Sequence, residues 1–332
     1  MSVRRLFDLK RSTSPAEPVV EPEIPDEVVE PEPFELVVEP KTLEVIFEFE
    51  TVSPAEVKGI TGVPSGFGPI PFRSETCSSH HFLLACYRYW CNEIRERPRY
   101  HRKQWEFVYI LQALWERGLL TSGRRGLGFG VGREPLAALM ASRGCHVTAT
   151  DLELDAQVET AWAATSQHAA HLRDLNVRGI CEESSFAERV TFTPVNMNSI
   201  PSELREFDFC WSACCFEHLG SIEAGLAFYE NSLKTLKPGG FAIHTTEFNL
   251  SSNSETLDND ATVLFRKKDL DGLMDELRAQ GHYCEPLLIH HGSQPVDGFI
   301  DMPPYRADVH LRLALANYVT TSVGIITRKA SV

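Results

Sequence analysis

The stretch Gly126-Leu127-Gly128-Phe129-Gly130-Val131-Gly132 decides the fold of this chain. Four glycines at alternate positions disfavour the interior of a helix or strand, because each glycine loses much backbone entropy on ordering and gives no side chain to packing. Such a run suits a turn that brings backbone N–H groups close to a ligand. We therefore predict a ligand-binding loop here.

The residues that follow the loop predict a helix, a strand and an acidic residue, in that order. Pro135 and Gly144 bound a segment with apolar residues at helical spacing,. Residues 145–150 favour a short strand that ends at Asp151, nineteen residues after Gly132,. An acid at the end of the second strand of a nucleotide-binding unit can accept hydrogen bonds from both ribose hydroxyls.

Strand and helix patterns alternate through the rest of the chain. Strands are predicted at 190–195, 207–213, 241–246, 284–290 and 319–327, and helices at 155–175, 222–236 and 268–279. This alternation predicts an α/β fold with a doubly wound, Rossmann-like sheet, whose ligands bind at the carboxyl ends of the strands.

The chain divides by composition into three parts. Residues 1–75 form an acidic arm rich in Pro and Glu, with twelve acidic residues and one lysine between positions 12 and 50, and we expect it to be largely disordered,. Residues 76–122 predict a helical N-terminal cap. Residues 123–332 then form the α/β core, with an insertion near 293–317.

Composition narrows the function classes. Most of the net charge of −14 lies in the arm, so the folded part is only mildly acidic and general nucleic-acid binding is disfavoured,. The nine cysteines show no zinc-site spacing, so we expect reduced thiols and no metal site,. No apolar run of eighteen residues and no secretory signal pattern is present, and we expect a cytoplasmic protein without a transmembrane segment,.

The spacing of the glycines discriminates between cofactors. The dinucleotide fingerprint requires Gly-x-Gly-x-x-Gly, but Arg133 stands where its third glycine would fall if the pattern began at Gly128,. The sequence from Gly128 to Gly132 instead resembles the cofactor loop of class I S-adenosylmethionine-dependent methyltransferases.

Later segments resemble the weaker motifs of the same family and occur in its order. These segments are Asn196-Met197-Asn198-Ser199-Ile200-Pro201, Phe207-Asp208, Ser212 to Leu219, and Lys237-Pro238-Gly239-Gly240. The resemblance covers roughly residues 100 to 328. It implies a seven-stranded, mostly parallel sheet with an antiparallel last strand, and S-adenosyl-L-methionine as cofactor.

The resemblance also implies which residues contact the cofactor. They are Gly128, Gly130, Gly132, Asp151, Leu152, Asn196, Met197 and Ser212. Asn196 departs from the family pattern, which has an acid at this position. An amide oxygen there can still accept a hydrogen bond from the adenine amino group, and the N–H of Met197 can donate to a ring nitrogen.

Methyl transfer to oxygen or nitrogen requires alignment and removal of a proton. Residues at the ends of strands four and five are the candidate bases: Glu217, His218, His244 and Glu247. His218 can equally cap a helix, and His244 can equally be a buried core histidine. Glu247 is predicted to lie just past the fifth strand, facing the ligand.

Other segments are candidates for contacts with the methyl acceptor. In the helical cap, His101 and Trp105 lie four residues apart, and either can close over the ligand or pack in the core. The basic residues nearby can bind an anionic substrate or form a solvated helix surface; they are Arg95, Arg97, Arg99, Arg102 and Lys103. Loop 249–261 and, from the insertion, Tyr305 and His310 are further candidates,.

The sequence thus predicts an S-adenosylmethionine-dependent methyltransferase that acts on a small molecule or glycan, at oxygen. Two alternatives stay open: an oxidoreductase that binds a nicotinamide dinucleotide, and a non-catalytic nucleotide-binding scaffold that recruits partners through the acidic arm. The acceptor and the oligomeric state are not identified by the sequence.

Overall fold

The computed structural model describes residues 72–152, 171–305 and 309–331, which belong to a compact unit spanning residues 60–332. The predicted arm, apart from its last residues, lies outside the described residues. So does most of the predicted helix 155–175.

Six α-helices and eleven β-strands are present in the described part of the chain. The helices are α1 (Ala85–Glu93), α2 (Arg102–Glu116), α3 (Leu136–Ser142), α4 (Glu183–Arg189), α5 (Ile222–Lys234) and α6 (Lys267–Ala279). The strands are β1 (Ser74–Thr76), β2 (Arg125–Gly128), β3 (His146–Asp151), β4 (Val190–Pro194), β5 (Phe207–Ala213), β6 (Leu236–Asn249), β7 (Tyr283–Cys284), β8 (Leu287–Leu288), β9 (Ile300–Asp301), β10 (Arg312–Leu315) and β11 (Tyr318–Arg328).

The strands form one sheet, in the order β4-β3-β2-β5-β6-β11-β1-β8. Strands β4, β3, β2, β5 and β6 are mutually parallel, and β11 runs antiparallel to β6. The strand order reverses beside β2, which places the glycine loop at the point where α/β sheets bind ligands. The predicted α/β architecture and the antiparallel last strand are confirmed.

The predicted number of seven strands is wrong, because the sheet contains eleven. The predicted strand 284–290 is split into β7 and β8 around Pro286, which has no N–H to donate to a neighbouring strand,. Strand β1, which the sequence did not predict, pairs with β11 on one side and β8 on the other. The insertion adds β9 and β10, and β10 pairs with β11.

Strand β6 is longer than predicted at both ends. Residues 237–240, which precede the strand predicted at 241–246, belong to β6 and form a bulge where its register against β5 shifts. Glu247, expected just past the strand, lies within it, because pairing with β11 continues to Asn249. Glu247 therefore has the fixed direction of a strand side chain.

Helix α2 lies against the sheet and carries an almost continuously buried sequence from Gln104 to Leu114. Its contacts are with β5, β6 and β11, so its first turn reaches the carboxyl ends of the parallel strands. All nine cysteines are buried and unpaired.

The 15 residues of α2 fall short of the roughly 20 apolar residues that a membrane-spanning helix needs,. No other helix in the described part of the chain meets that requirement.

Candidate active site

Backbone geometry and close packing explain the glycines at the end of β2 and in the loop that follows it. A Cβ added to Gly128 would lie 2.4 Å from the ring of Trp211. Gly130 has a φ of +56°, which side chains rarely adopt, and an added Cβ would lie 2.9 Å from Sγ of Cys215,. Gly132 has a φ of +50°. Larger residues would thus clash with neighbouring side chains at 128 and 130 or adopt a disfavoured φ at 130 and 132. We call the backbone from Gly128 to Gly132 the cradle.

Asp151 lies at the rim of this cradle, at the end of β3. Its side chain is buried, and Oδ2 accepts a hydrogen bond of 3.2 Å from the N–H of Gly132. Oδ1 accepts one of 2.8 Å from the N–H of Leu152. The fold thus brings together Asp151 and the glycine loop, which are nineteen residues apart in sequence.

Asn196 and Met197 lie beyond the end of β4. Met197 is buried, and its Sδ lies 3.4 Å from where a Cβ of Gly130 would stand, so it borders the glycine loop. Asn196 is exposed, and its Oδ1 accepts a hydrogen bond of 2.9 Å from the N–H of Asn198. The carboxamide oxygen is therefore already used in a turn, which an adenine amino group would have to share.

Glu134, which the sequence did not single out, lies directly after the glycine loop. Its Oε1 accepts a 2.7 Å hydrogen bond from Nε1 of Trp211 on β5. Burial raises the pKa of Glu134 to about 8, so its carboxyl group is largely neutral at pH 7. We define a cofactor side that consists of the glycine loop and of Glu134, Asp151, Leu152, Asn196, Met197 and Trp211.

His244 and Ser212 occupy core positions. Nδ1 of His244 lies 2.8 Å from Oγ of Ser212, and Nε2 lies 3.1 Å from Oγ of Ser232. Burial lowers the pKa of His244 to about 3, so the ring is neutral. Both ring nitrogens are engaged with hydroxyl groups inside the core, and we leave His244 and the Ser212 side chain out of the proposed site.

Glu217 and His218 follow β5 in the short 3₁₀ helix Phe216–His218. Glu217 is buried, accepts a 3.0 Å hydrogen bond from Oγ1 of Thr246, and has its pKa raised by that burial. Nδ1 of His218 lies 2.9 Å from the carbonyl oxygen of Ala261. His218 therefore holds the loop that follows β6.

A buried ionic cluster connects α2 to the sheet; we define it as Arg102, Lys103, Glu106 and Glu247. Nη1 of Arg102 lies 2.7 Å from Oε2 of Glu247. Nζ of Lys103 lies 3.0 Å from Oε2 of Glu106 and donates a 2.7 Å hydrogen bond to the carbonyl of Ala213 at the end of β5. The cluster thus reaches from β6 to the strand beside the glycine loop.

The cations of the cluster stabilise the ionised carboxylate of Glu106. Burial acts to raise the pKa of Glu106, but the cations of Lys103 and Arg102 offset this effect, and the pKa falls below its usual value. Nε of Arg102 is buried and has no hydrogen-bond partner among the described residues. It is a donor that a ligand can satisfy.

The remaining basic residues of this segment do not extend the cluster. Arg95 donates to the carbonyl of Arg178, and Arg99 pairs with Glu96. Trp105 is fully buried and packs against the rings of His81 and Tyr109. The continuous basic surface considered as an anion site is therefore not formed.

The insertion places a histidine and a carboxylate beside the start of α2. Nδ1 of His310 lies 2.7 Å from Oδ2 of Asp301. The carbonyl of His310 accepts a 2.9 Å hydrogen bond from the N–H of Arg102. The backbone N–H of His310 donates to the carbonyl of Tyr100. The ring of Tyr305 lies 5.6 Å from that of His310. We call Arg102, Glu247, Asp301 and His310 the acceptor side.

Two surface cavities, of about 340 and 490 Å³, are lined by other residues. Neither cavity is lined by the glycine loop or Asp151, so the cofactor side rests on the residues described above and not on a cavity.

Comparison with known families identifies the class. Residues 127–244 match the family model described as "Methyltransferase domain". This segment begins in β2 at the glycine loop and ends within β6. The match shows a methyltransferase domain over this segment, and it supports S-adenosyl-L-methionine as the cofactor. The oxidoreductase and scaffold alternatives are thereby set aside.

Several solved structures are similar to this chain in outline. The [4+2]-cyclase SpnF is 21% identical, with a TM-score of 0.34 over 53% of this chain and 59% of that one. The sarcosine dimethylglycine methyltransferase from Galdieria sulphuraria is 12% identical, with a TM-score of 0.40 over 74% and 98%.

The Burkholderia thailandensis 1,6-didemethyltoxoflavin-N1-methyltransferase, bound to 1,6-didemethyltoxoflavin and S-adenosylhomocysteine, is 18% identical, with a TM-score of 0.42 over 78% and 94%. No curated protein matches the chain significantly. Similarities of this strength carry no information about the acceptor.

Proposed function

We propose that this methyltransferase transfers a methyl group to a hydroxyl oxygen of a small molecule or glycan, with His310 as the general base. The observation that carries the proposal is the 2.7 Å contact between Asp301 and His310 beside the first turn of α2. A carboxylate on Nδ1 fixes the histidine tautomer that leaves Nε2 able to accept a proton.

The cofactor side suits S-adenosylmethionine. Gly128, Gly130 and Gly132 leave alternate positions of the cradle without a side chain, which supports contact between its backbone and the cofactor, and Asp151, bonded to the N–H of Gly132, is the proposed partner of the ribose hydroxyls. When bound, the cofactor supplies an electrophilic methyl group on a sulfonium. In this proposal, Leu152, Asn196 and Met197 contact the nucleoside part of the cofactor.

The acceptor side accounts for proton removal and orientation. His310 takes the proton of the acceptor hydroxyl on Nε2, and Asp301 stabilises the imidazolium that results. Nε of Arg102, which lacks a partner in the described part of the chain, can donate to an oxygen of the acceptor. Glu247 is held by Arg102 and by the hydroxyl of Thr320, so it orients Arg102 and does not act as the base.

Residue polarity favours a polar, hydroxyl-rich acceptor. The acceptor side offers one guanidinium, two carboxylates and one imidazole, and the folded part has no excess of basic residues that would attract nucleic acid,. Loop 249–261, held by His218, borders the same edge of the sheet.

Labelled S-adenosylmethionine tests the proposal against matched panels of alcohols, phenols and sugars on one side and amines on the other. We expect label in an ether product. His310→Ala should lower kcat by about 100- to 10,000-fold, as for loss of a general base, and added imidazole should restore part of the rate. The exposed-strand variant His146→Ala serves as the control. Label found only on nitrogen, or full activity of His310→Ala, would contradict the proposal.

A further inference from the structure

Four side chains that can bind a metal converge on the far side of β11 from the glycine loop. Glu75 belongs to β1, His80 and His81 belong to the 3₁₀ helix Ser79–Leu83, and His290 follows β8. Within the described part of the chain, one possible metal-ligand atom from each of Glu75, His80 and His81 lies within 4.8 Å of the others. Neither the cofactor side nor the acceptor side includes any of these residues.

Two of the distances between ligand atoms are close to those around a four-coordinate ion. Oε2 of Glu75 lies 3.2 Å from Nε2 of His81 and 3.0 Å from Nε2 of His290. Tetrahedral zinc with bonds of about 2.0 Å separates its ligand atoms by roughly 3.3 Å. A small contraction or expansion of the cluster therefore accommodates the ion.

His81 supplies an independent observation that points to a ligand. Its side chain is 1% exposed, and its Nε2 lies 3.2 Å from Oε2 of Glu75 but makes no contact with hydrogen-bond geometry among the described residues. Its Nδ1 lies 3.3 Å from the N–H of Ser78 and 3.0 Å from the carbonyl oxygen of Ser78, and in one tautomer it donates to that oxygen. In that tautomer Nε2 presents a lone pair toward the carboxylate of Glu75, an arrangement that a cation between them would stabilise.

His80 is oriented in the same manner. Its Nδ1 lies 2.7 Å from Oγ of Ser78, which leaves Nε2 for an ion. Metal-bound histidines commonly place the second ring nitrogen on a carbonyl, carboxylate or water, which fixes the tautomer. Burial and the neighbouring histidines lower the pKa of His80 to about 4, so the ring is neutral and able to bind a metal at pH 7.

Glu75 supplies the negative charge. Burial acts to raise the pKa of its carboxyl group, but the close contacts with the rings of His290 and His81 lower it to about 2. An ionised carboxylate with neutral imidazoles is a donor set suited to zinc.

We propose that Glu75, His80, His81 and His290 bind one Zn²⁺ ion that ties β1 and the 3₁₀ helix to β8. Glu75 and His290 are 215 residues apart, so the ion would close a long loop of the chain. Four strand spacings separate β1 from β2 in the sheet order, or roughly 19 Å,. The role is therefore structural. No sequence motif indicates this site, because its ligands come from three separate segments.

Zn²⁺ alone is the probe for the full chain, purified without a histidine tag and stripped with a chelator. We expect one equivalent of zinc by elemental analysis after reloading, a higher Tm with Zn²⁺ than without, and the visible spectrum of four-coordinate Co²⁺ on substitution. His80→Gln, at an exposed position that leaves the core intact, should weaken Zn²⁺ binding at least about tenfold,. Glu75→Gln should do the same.

His146→Gln, outside the cluster, should bind Zn²⁺ as the wild type does. Zinc that binds equally well to His80→Gln, Glu75→Gln and the wild type would overturn the proposal, because other residues, such as the cysteines, would then hold it. Absence of stoichiometric zinc in the folded wild type would overturn it too, and would leave only ion pairs between Glu75 and the histidines. Cofactor affinity is measured separately, so neither outcome bears on the methyltransferase activity.

Discussion

The cofactor side relies on backbone conformation, whereas the acceptor side relies on side chains brought from distant segments. On the cofactor side, Gly128 to Leu152 form one continuous β2-α3-β3 unit. On the acceptor side, Arg102 contacts Glu247, and its neighbour His310 contacts Asp301. The first side therefore depends on one local segment, whereas the second depends on how α2, β6 and the insertion pack together. This difference predicts that cofactor binding and turnover of the acceptor can be changed separately.

If the two sides are separable, changing Asp301 should affect turnover and leave cofactor affinity intact. Asp301→Asn should lower kcat by about 100- to 10,000-fold, because the amide no longer fixes the productive tautomer of His310. The measurement is kcat together with the Kd for S-adenosylhomocysteine. Asp275→Asn, exposed on α6, is the control. An equal loss of cofactor affinity would mean that the two sides are not separate.

The ionic cluster joins the two sides, so breaking it should affect the stability of the whole unit. Glu106 is fully buried, and Glu106→Gln leaves Lys103 and Arg102 with less compensation. We expect a loss of about 3–5 kcal/mol in the free energy of unfolding, as for other buried pairs that lose one partner. Urea unfolding measures it, with the exposed variant Glu188→Gln as reference. A loss below about 1 kcal/mol would show that the cluster contributes little.

Asp151 provides the reciprocal test on the cofactor side. Asp151→Ala removes the acceptor of two backbone N–H groups and the proposed partner of the ribose hydroxyls. Binding of S-adenosylhomocysteine should weaken by about 1–3 kcal/mol, the range for a lost hydrogen bond to a charged group. Titration calorimetry measures the change. Unchanged affinity would remove Asp151 from the ribose role.

His244 distinguishes a structural histidine from a catalytic one. Burial lowers its pKa in the folded protein to about 3 from the ordinary value of 6.5, so the unfolded chain binds the proton first as the pH falls. The stability that its neutral form provides is therefore complete above pH 6.5 and is lost between pH 6.5 and 3. The loss due to His244 should reach about 2 kcal/mol at pH 5.

Urea unfolding at pH 7 and pH 5 measures this loss. His244→Gln should show a pH dependence smaller by that amount, while His146→Gln should behave as the wild type. If His244→Gln lowered kcat strongly and left the pH dependence of stability unchanged, His244 would act in catalysis and not in stability.

The sequence predicted the parts of the molecule whose structure depends on local pattern. Glycine spacing, the Pro135–Gly144 helix and the acid at 151 predicted the order of loop, helix, strand and acid, because these interactions are close in sequence. The prediction was wrong for Gly126 and Gly128, which belong to β2 and not to the loop. Strand β1 escaped prediction because its three residues, Ser-Glu-Thr, carry no apolar alternation. The break at Pro286 became visible only once the neighbouring strands were known.

The acceptor side was less predictable for a physical reason. Lys103 and Glu106 look like a solvated helix surface, and only the position of α2 against β5 and β6 buries Glu106 and leaves Lys103 half-buried. His310 was expected at the ligand, but its partner Asp301 follows from the pairing of β9 with β10. His244 was expected near the carboxyl edge, yet β6 continues for five residues beyond it.

Calorimetric titration of the full-length His310→Ala variant with S-adenosylhomocysteine tests the central claim most directly. The variant lacks the proposed base but keeps the glycine cradle and Asp151, so it should bind one equivalent with the affinity of the wild type. Failure of the folded variant to bind, while the wild type does, would contradict the division into cofactor and acceptor sides. Failure of both folded proteins would contradict the assignment of the cradle to this cofactor.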